Sequence, residues 1–263
     1  MRGAIIGDII GSAFVNNKLD VTDFQLLKPF SAYTDNTITT LSTADAILHD
    51  KDYGDTLKTW VRRYPKAGYR TSFLEWALSE HKQTYYSEGD GAARRMSPIG
   101  FASPSLEYAL EQAELSTQIT HNTKLRIEAS RAVAGSIFLA RQGKSKQEIR
   151  ALIEREFNFE LSSSLDEVKA EINSGKELLF PVPPAVIAFL ESSDFEDAIR
   201  KAIWLGGPSH TIASITGGLA QAYYNHIPKS LIRKTLSRLT TDMEAMIEEF
   251  ESHFLTYKYN NAY

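Results

Sequence analysis

Apolar residues in this chain recur mostly at steps of three and four, and this spacing constrains the fold more than any other feature. It is clearest at 37–50, 125–143 and 211–225. Such spacing places the apolar side chains on one face of an α-helix. Shorter segments of the same kind lie at 55–64, 106–115, 145–157, 194–205 and 229–239. Because alternating, strand-like stretches are scarce, the sequence predicts an all-α fold with functional groups on the loops between helices.

The organisation of the chain predicts a single domain over 1–263. No glycine- or serine-rich linker divides the sequence, and no fixed-period repeat occurs in it. A length of 263 residues and a hydrophobic content of 43% suit one domain with a sizeable core. The proline-rich stretch FPVPPAV at 180–186 is predicted to break the chain between helices rather than between domains.

Composition excludes several classes of function. The formal net charge is −4, so a basic surface for nucleic acid or an anionic membrane is not expected. The chain contains no cysteine, which excludes disulfides, thiolate zinc sites and a cysteine nucleophile. Residues 1–15 imitate a secretion signal weakly, but Asp8 interrupts the apolar run, so a buried amphipathic helix is predicted. No apolar run approaches the roughly 18 residues of a membrane span. We therefore expect a cytoplasmic protein.

The first polar cluster is YTDNT at 33–37, where a helix is predicted to begin. One interpretation is an N-cap with an acid in the first turn, where the free N–H groups and the helix dipole stabilise it. The other is a cation site, since the oxygens of Thr34, Asp35 and Asn36 suit Mg²⁺. Both interpretations stay open from the residues alone.

A second cluster, GDGAARRMSPIG at 89–100, combines flexible glycines with Arg94 and Arg95. Backbone N–H groups and a guanidinium can surround phosphate oxygens, although a surface loop with solvated arginines fits equally well. His121, in THN at 120–122, fits either a ligand contact or a capping turn.

The third cluster is LGGPSHTIAS at 205–214, which is predicted to form a turn that leads into a helix. Pro208 would stiffen the start of the helix, and Ser209 would cap its free N–H groups. His210 and Thr211 would then lie in the first helical turn.

Together these segments resemble the ADP-ribosylglycohydrolase family, which includes dinitrogenase reductase-activating glycohydrolases and ADP-ribosylarginine and ADP-ribosylserine hydrolases. The segment 3–12 is similar to the opening helix of the family, and 34–37 to its Thr-Asp-Asp-Thr motif. The segment 87–100 resembles the Ser-x-Gly-Asn-Gly…Arg-x-Ser-Pro loop, and 120–122 the Thr-His segment. The segment 206–224 resembles the Gly-Gly-Asp-x-Asp-Thr motif and its helix.

This resemblance implies an orthogonal helical bundle that binds ADP-ribose beside two Mg²⁺ ions. By position, the implied metal ligands fall on Thr34, Asp35, Asn36, Pro208, His210 and Thr211. The implied ligand-binding residues fall on Gly89, Asp90, Gly91, Arg95, Ser97 and His121. The family usually carries a glutamate important for hydrolysis at the position of Val15. Only Thr34, Asp35 and Thr211 match the metal pattern, and Asp90 stands where the family has asparagine.

The departures predict a binding protein related to a hydrolase, with hydrolysis lost or severely impaired. Its ligand would be ADP-ribose, an ADP-ribosylated protein or an ADP-ribosyltransferase. We expect no cofactor or a weakly bound Mg²⁺, with Zn²⁺ as an option through His210. Alternatively, the protein is an active hydrolase with a rearranged site that uses Asp8, His121 or His210. A third interpretation is a scaffold or inhibitory protein without ligand binding.

Overall fold

A computed structural model describes residues 1–80, 83–87, 89, 91–174 and 180–255. In this part of the chain the regular structure consists of fourteen α-helices and two short 3₁₀ segments, Ser12–Phe14 and Ala93–Arg95. The helices are α1 (Arg2–Gly11), α2 (Asp35–Leu48), α3 (Tyr53–Arg63), α4 (Thr71–Leu78), α5 (Ser97–Ala102), α6 (Leu106–Gln118), α7 (Lys124–Arg141), α8 (Lys146–Phe157), α9 (Leu165–Asn173), α10 (Val182–Leu190), α11 (Phe195–Trp204), α12 (Ser209–Tyr224), α13 (Lys229–Leu236) and α14 (Thr241–Phe254). The predicted all-α fold is confirmed.

The centre of the core is α12, which packs against α1, α7, α10 and α11. Its approach to α1 is unusually close because glycines recur every fourth residue on α1. A Cβ atom on Gly7 would overlap the carbonyl oxygen of Ala213, and one on Gly3 would overlap that of Gly217. The two backbones therefore meet without intervening side chains, which fixes the start of α12 relative to α1.

The predicted N-terminal helix is confirmed as α1, but it is not amphipathic. Residues Gly3–Gly11 are all buried, and its one acidic residue, Asp8, is fully buried as well. A polar side chain in such a place needs internal hydrogen-bond partners, and the start of α2 supplies them.

Two local predictions are wrong. The stretch 180–186 does not simply separate helices, because α10 begins at Val182 with prolines in its first turn, where a missing N–H removes no helical hydrogen bond. Ser209 does not cap α12. The N-cap is Pro208, and the hydroxyl of Ser209 donates instead to the carbonyl oxygen of Gly11 at 2.9 Å.

Candidate ligand-binding site

A cavity of about 260 Å³ lies where the three polar clusters of the sequence meet. The start of α2, the segment before α5 and the start of α12 all contribute to its wall. Its lining includes Asp35, Gly89, Gly91, His121, His210 and Thr211. These residues are far apart in the sequence, and the fold brings them to one pocket.

The start of α2 is held by Asp8 from α1. Oδ1 of Asp8 accepts the Thr34 hydroxyl at 2.6 Å, and Oδ2 accepts the Thr37 hydroxyl at 2.6 Å. Oδ2 also accepts the backbone N–H groups of both threonines, at 2.9 and 3.2 Å. Burial raises the pKa of Asp8, while His210 and these hydrogen bonds favour its charged form. Because its two oxygens accept four hydrogen bonds, Asp8 is suited to hold the start of α2 in place and not to transfer protons.

The capping interpretation of 33–37 is confirmed. Thr34 is the N-cap of α2, and its hydroxyl oxygen accepts the N–H of Asn36 at 3.1 Å. Asp35 lies in the first turn, as predicted. The side chain of Asn36 is fully buried, and neither its amide oxygen nor its amide nitrogen has a hydrogen-bond partner.

Asp35 forms an ion pair inside the pocket. Nη2 of Arg94 lies 2.5 Å from Oδ2 of Asp35, and the two side chains are only 17% and 12% exposed. Both residues line the cavity. The carboxylate that the sequence offers to a cation is therefore already neutralised by an arginine of the same chain.

The start of α12 presents neutral groups to the cavity. Pro208, His210 and Thr211 all line it. Burial lowers the pKa of His210, although Asp8 and Asp35 oppose the shift, and its Nδ1 atom is buried without a partner. The preceding turn adopts positive φ at Gly206 and Gly207, a conformation that glycine accommodates without strain.

Val15 does not line the cavity, and it is 39% exposed. It follows the 3₁₀ segment after α1, and the next residue, Asn16, donates its N–H to the carbonyl oxygen of Gly207 at 2.9 Å. Val15 thus lies beside the turn that leads to Pro208, where it offers no acidic or basic group.

Arg95 and His121 are linked through Thr120. Nη2 of Arg95 donates to Oγ1 of Thr120 at 2.9 Å and to the carbonyl oxygen of Ser116 at 2.6 Å. Oγ1 of Thr120 is also 2.7 Å from Nδ1 of His121. Burial, with the surrounding arginines, lowers the pKa of His121 to about 2. The ring is neutral at pH 7, and a hydroxyl proton from Thr120 on Nδ1 would leave Nε2 protonated as a donor.

The remaining loop residues lie in different settings. Gly89 and Gly91 line the cavity, and a Cβ atom on Gly91 would lie 3.1 Å from Cε1 of His121. Ser97 begins α5 and is buried against Gly218 of α12, without a hydrogen-bond partner for its hydroxyl. The predicted ligand contact at Asp90 lies outside the described residues.

Sequence reasoning missed part of the wall. Arg70, just before α4, lines the cavity together with the rings of Phe73 and Tyr85, whose centroids are 5.6 Å apart in an edge-to-face arrangement. No local pattern singles these residues out, since an arginine before a helix and an aromatic residue on a short helix or in a loop are common on their own. The described lining therefore carries three arginines, at 70, 94 and 95, and one carboxylate, Asp35.

The donor set at the start of α2 and α12 does not fit two Mg²⁺ ions. Mg²⁺ is bound chiefly through carboxylates, phosphates and water. Asp35 is paired with Arg94, Asn36 and His210 are neutral, and Pro208 has no donor atom in its side chain. Within the described ranges, no group of three or more His, Cys, Asp or Glu side chains is arranged to hold a metal ion.

The fold and the cavity define an all-helical protein with a cationic, glycine-lined pocket. The ADP-ribosylglycohydrolase family model matches residues 1–259, so the chain belongs to this family. Membership confirms the resemblance drawn from the sequence motifs. Of the helices described, none is long and apolar enough to cross a membrane.

Individual relatives are distant but similar over most of their length. The ADP-ribosylhydrolase ARH3 of Homo sapiens is 24% identical over 88% of this chain and 86% of its own. The ADP-ribosylarginine hydrolase Tri1 of Pseudomonas putida is 23% identical over 85% of this chain and 69% of its own. A solved structure titled ADP-ribosylglycohydrolase-related protein complex superposes with a TM-score of 0.70 and 23% identity, covering 95% of this chain and 94% of its own.

Proposed function

We propose that this protein binds ADP-ribose, free or attached to a protein, in the cavity between α2, α5 and α12, and that it hydrolyses the ADP-ribosyl bond slowly or not at all. The observation that carries the proposal is the lining of that cavity. Glycine backbone at 89 and 91 lies in the same wall as three arginines, but the only described carboxylate there is already paired.

Binding is supported by the chemistry of the wall. A diphosphate needs cationic and N–H donors, which arginines and a flexible glycine segment provide. The Nε2 atom of His121 can add a neutral donor. The rings of Phe73 and Tyr85 offer apolar aromatic surface on the same cavity, which suits packing against a nucleobase or sugar face. The family and its named hydrolase relatives make ADP-ribose the first ligand to test.

Impaired hydrolysis is supported by the groups that the described lining of the cavity lacks. General-base catalysis needs an acceptor near the attacking water, and Val15 cannot serve at the position where the family usually has glutamate. Asp8 is fully buried, with both oxygens engaged by α2. Burial and the neighbouring arginines lower the pKa of His121 to about 2, so its ring is a weak base.

One observation favours the alternative of an active hydrolase with a rearranged site. His210 lines the cavity and has a buried Nδ1 atom without a partner. A neutral imidazole in that place is able to accept a proton or bind Zn²⁺. An ADP-ribosylated protein or an ADP-ribosyltransferase as partner stays a prediction in either case, as does a cytoplasmic location.

The experiment is a pair of measurements on the full chain. Calorimetry with ADP-ribose tests binding, with AMP and ribose 5-phosphate as partial ligands. Release of ADP-ribose from arginine- and serine-modified proteins tests hydrolysis, with an active family member as positive control. Binding without release supports the proposal. Robust release that disappears in His210→Ala favours the active enzyme. If ADP-ribose neither binds nor is released, the scaffold interpretation is favoured.

A further inference from the structure

The ion pair between Arg94 and Asp35 lies where a cation would have to bind. Asp35 is the acidic residue in the first turn of α2, and Nη2 of Arg94 approaches its Oδ2 to 2.5 Å. The pair lines the cavity and is mostly shielded from water, with 17% and 12% of the two side chains exposed. A charge-assisted bond of this kind is stronger than one between neutral groups.

The backbone beneath Arg94 is firmly held. Arg94 belongs to the 3₁₀ segment Ala93–Arg95, whose last residue is 2% exposed. Its neighbour Arg95 is anchored to Ser116 in the last turn of α6 and to Thr120 just after that helix. The guanidinium of Arg94 is therefore presented from a fixed base, and its conformational entropy is partly lost before any ligand arrives.

A guanidinium at this place changes what the pocket can bind. It carries five N–H donors, and the bond to Oδ2 of Asp35 uses one of them. It neutralises the carboxylate that a divalent cation would need, and it repels a second cation at close range. At the same time it adds a fixed positive charge to the cavity that Arg70 also lines, which favours an anionic ligand.

We propose that Arg94 is the built-in cation of this pocket, and that it contacts the ligand in the place of a divalent metal. Asp35 is its counter-ion and holds the guanidinium against the wall. The inference rests on the proposed function for the identity of the ligand, ADP-ribose. Its statement about metal binding stands on the Arg94–Asp35 geometry alone.

The first test is calorimetry with ADP-ribose in EDTA and in excess Mg²⁺. The unaltered protein should bind equally well in both. Arg94→Met should lower the affinity at least tenfold in EDTA, because a charge-assisted contact with the ligand is lost, and Arg94→Lys should recover part of it. The matched control is Arg63→Met, which breaks an Arg–Asp pair with Asp242 outside the cavity and should leave the affinity unchanged.

The second test needs no ADP-ribose. Bound Mn²⁺ is measured by electron paramagnetic resonance in Asn36→Asp and in Asn36→Asp combined with Arg94→Met. The added substitution should raise Mn²⁺ affinity at least tenfold, because it removes a cation in direct contact with Asp35. Thermal unfolding of each variant checks that the fold is kept.

The outcomes separate this inference from the proposed function. ADP-ribose binding that requires Mg²⁺ would overturn the inference and leave the function standing. Undiminished affinity in a folded Arg94→Met protein would also overturn it. If ADP-ribose does not bind under any condition, the proposed function fails, and the Mn²⁺ measurement still decides whether Arg94 replaces a metal.

Discussion

The hydroxyl of Thr37 donates a hydrogen bond of 2.6 Å to Oδ2 of Asp8, and both side chains are buried. This bond joins α1 to the first turn of α2 and so fixes the wall that carries Asp35. A buried carboxylate that loses a donor is left with an unmet hydrogen bond. The contact therefore links the stability of the fold to the geometry of the pocket.

We expect Thr37→Val to lower the free energy of unfolding by about 1–3 kcal/mol, the usual cost of an unsatisfied buried polar group. Urea denaturation followed by circular dichroism measures it. The matched control is Thr59→Val on α3, where the hydroxyl is exposed and donates to the carbonyl oxygen of Asp55. This surface change should cost less than about 0.5 kcal/mol. Equal effects of the two variants would contradict the role assigned to Thr37.

The sequence anticipated helices better than it anticipated contacts. The long segments at 37–50, 125–143 and 211–225 are helical because their apolar spacing is local information. The helices α4, α5, α9, α10 and α14 were not predicted. In α9 and α14, polar residues outnumber apolar ones, so few apolar residues mark the buried face. The helix α4 has only eight residues, which are too few to show a clear helical period.

The same distinction between local features and distant contacts applies to the residues of the site. Thr34 and Asp35 could be placed at a helix start, since capping depends on neighbouring residues. The pairing of Asp35 with Arg94 spans 59 positions of sequence and depends on how α2 meets the segment before α5. No local pattern carries that information. Arg95 was expected near a phosphate from its loop, but its hydrogen bonds lie to Ser116 and Thr120 of another segment.

Because of these hydrogen bonds, we expect Arg95 to affect the stability of the fold as well as ligand binding. Its guanidinium is buried, and burial lowers the pKa to about 9, which still leaves it charged at neutral pH. Arg95→Ala should weaken ADP-ribose binding roughly tenfold or more, and it should also lower stability by about 1–3 kcal/mol because the buried acceptors on Ser116 and Thr120 lose their donor. Calorimetry and urea denaturation measure the two effects. Lower affinity at unchanged stability would indicate instead that Arg95 acts only by contacting phosphate.

A pH dependence follows from Asp45 on α2. Burial favours its neutral form, but hydrogen bonds from Lys51, Trp60 and His49 outweigh this and hold the pKa below its usual 3.8. Lys51 and Trp60 donate at 2.8 and 2.9 Å. A carboxyl with a lowered pKa contributes stability above its unfolded pKa and loses it as pH falls through the folded value.

The melting temperature should therefore decline as pH falls below about 4, and Asp45→Asn should make that decline shallower. Differential scanning calorimetry between pH 2.5 and 7, a range chosen to cover roughly both pKa values, measures the slope. Asp50→Asn serves as control, since that residue is exposed and should leave the slope unchanged. A slope for Asp45→Asn as steep as that of the unaltered protein would refute the assignment.

We expect hydrolysis to be recovered only in steps. Asn36→Asp, Pro208→Asp and His210→Asp together supply the carboxylates that Mg²⁺ requires, so metal binding should improve. Adding Arg94→Met should improve it further, because Asp35 is then released from its ion pair. Turnover should appear only when Val15→Glu is added, since a water near the sugar needs a base to orient it. Calorimetry with Mg²⁺ and release of ADP-ribose are measured at every stage. Two bound Mg²⁺ ions or turnover in the unaltered protein would show that the native residues already form a working site. Turnover in a variant without the glutamate would show that Val15 does not limit hydrolysis.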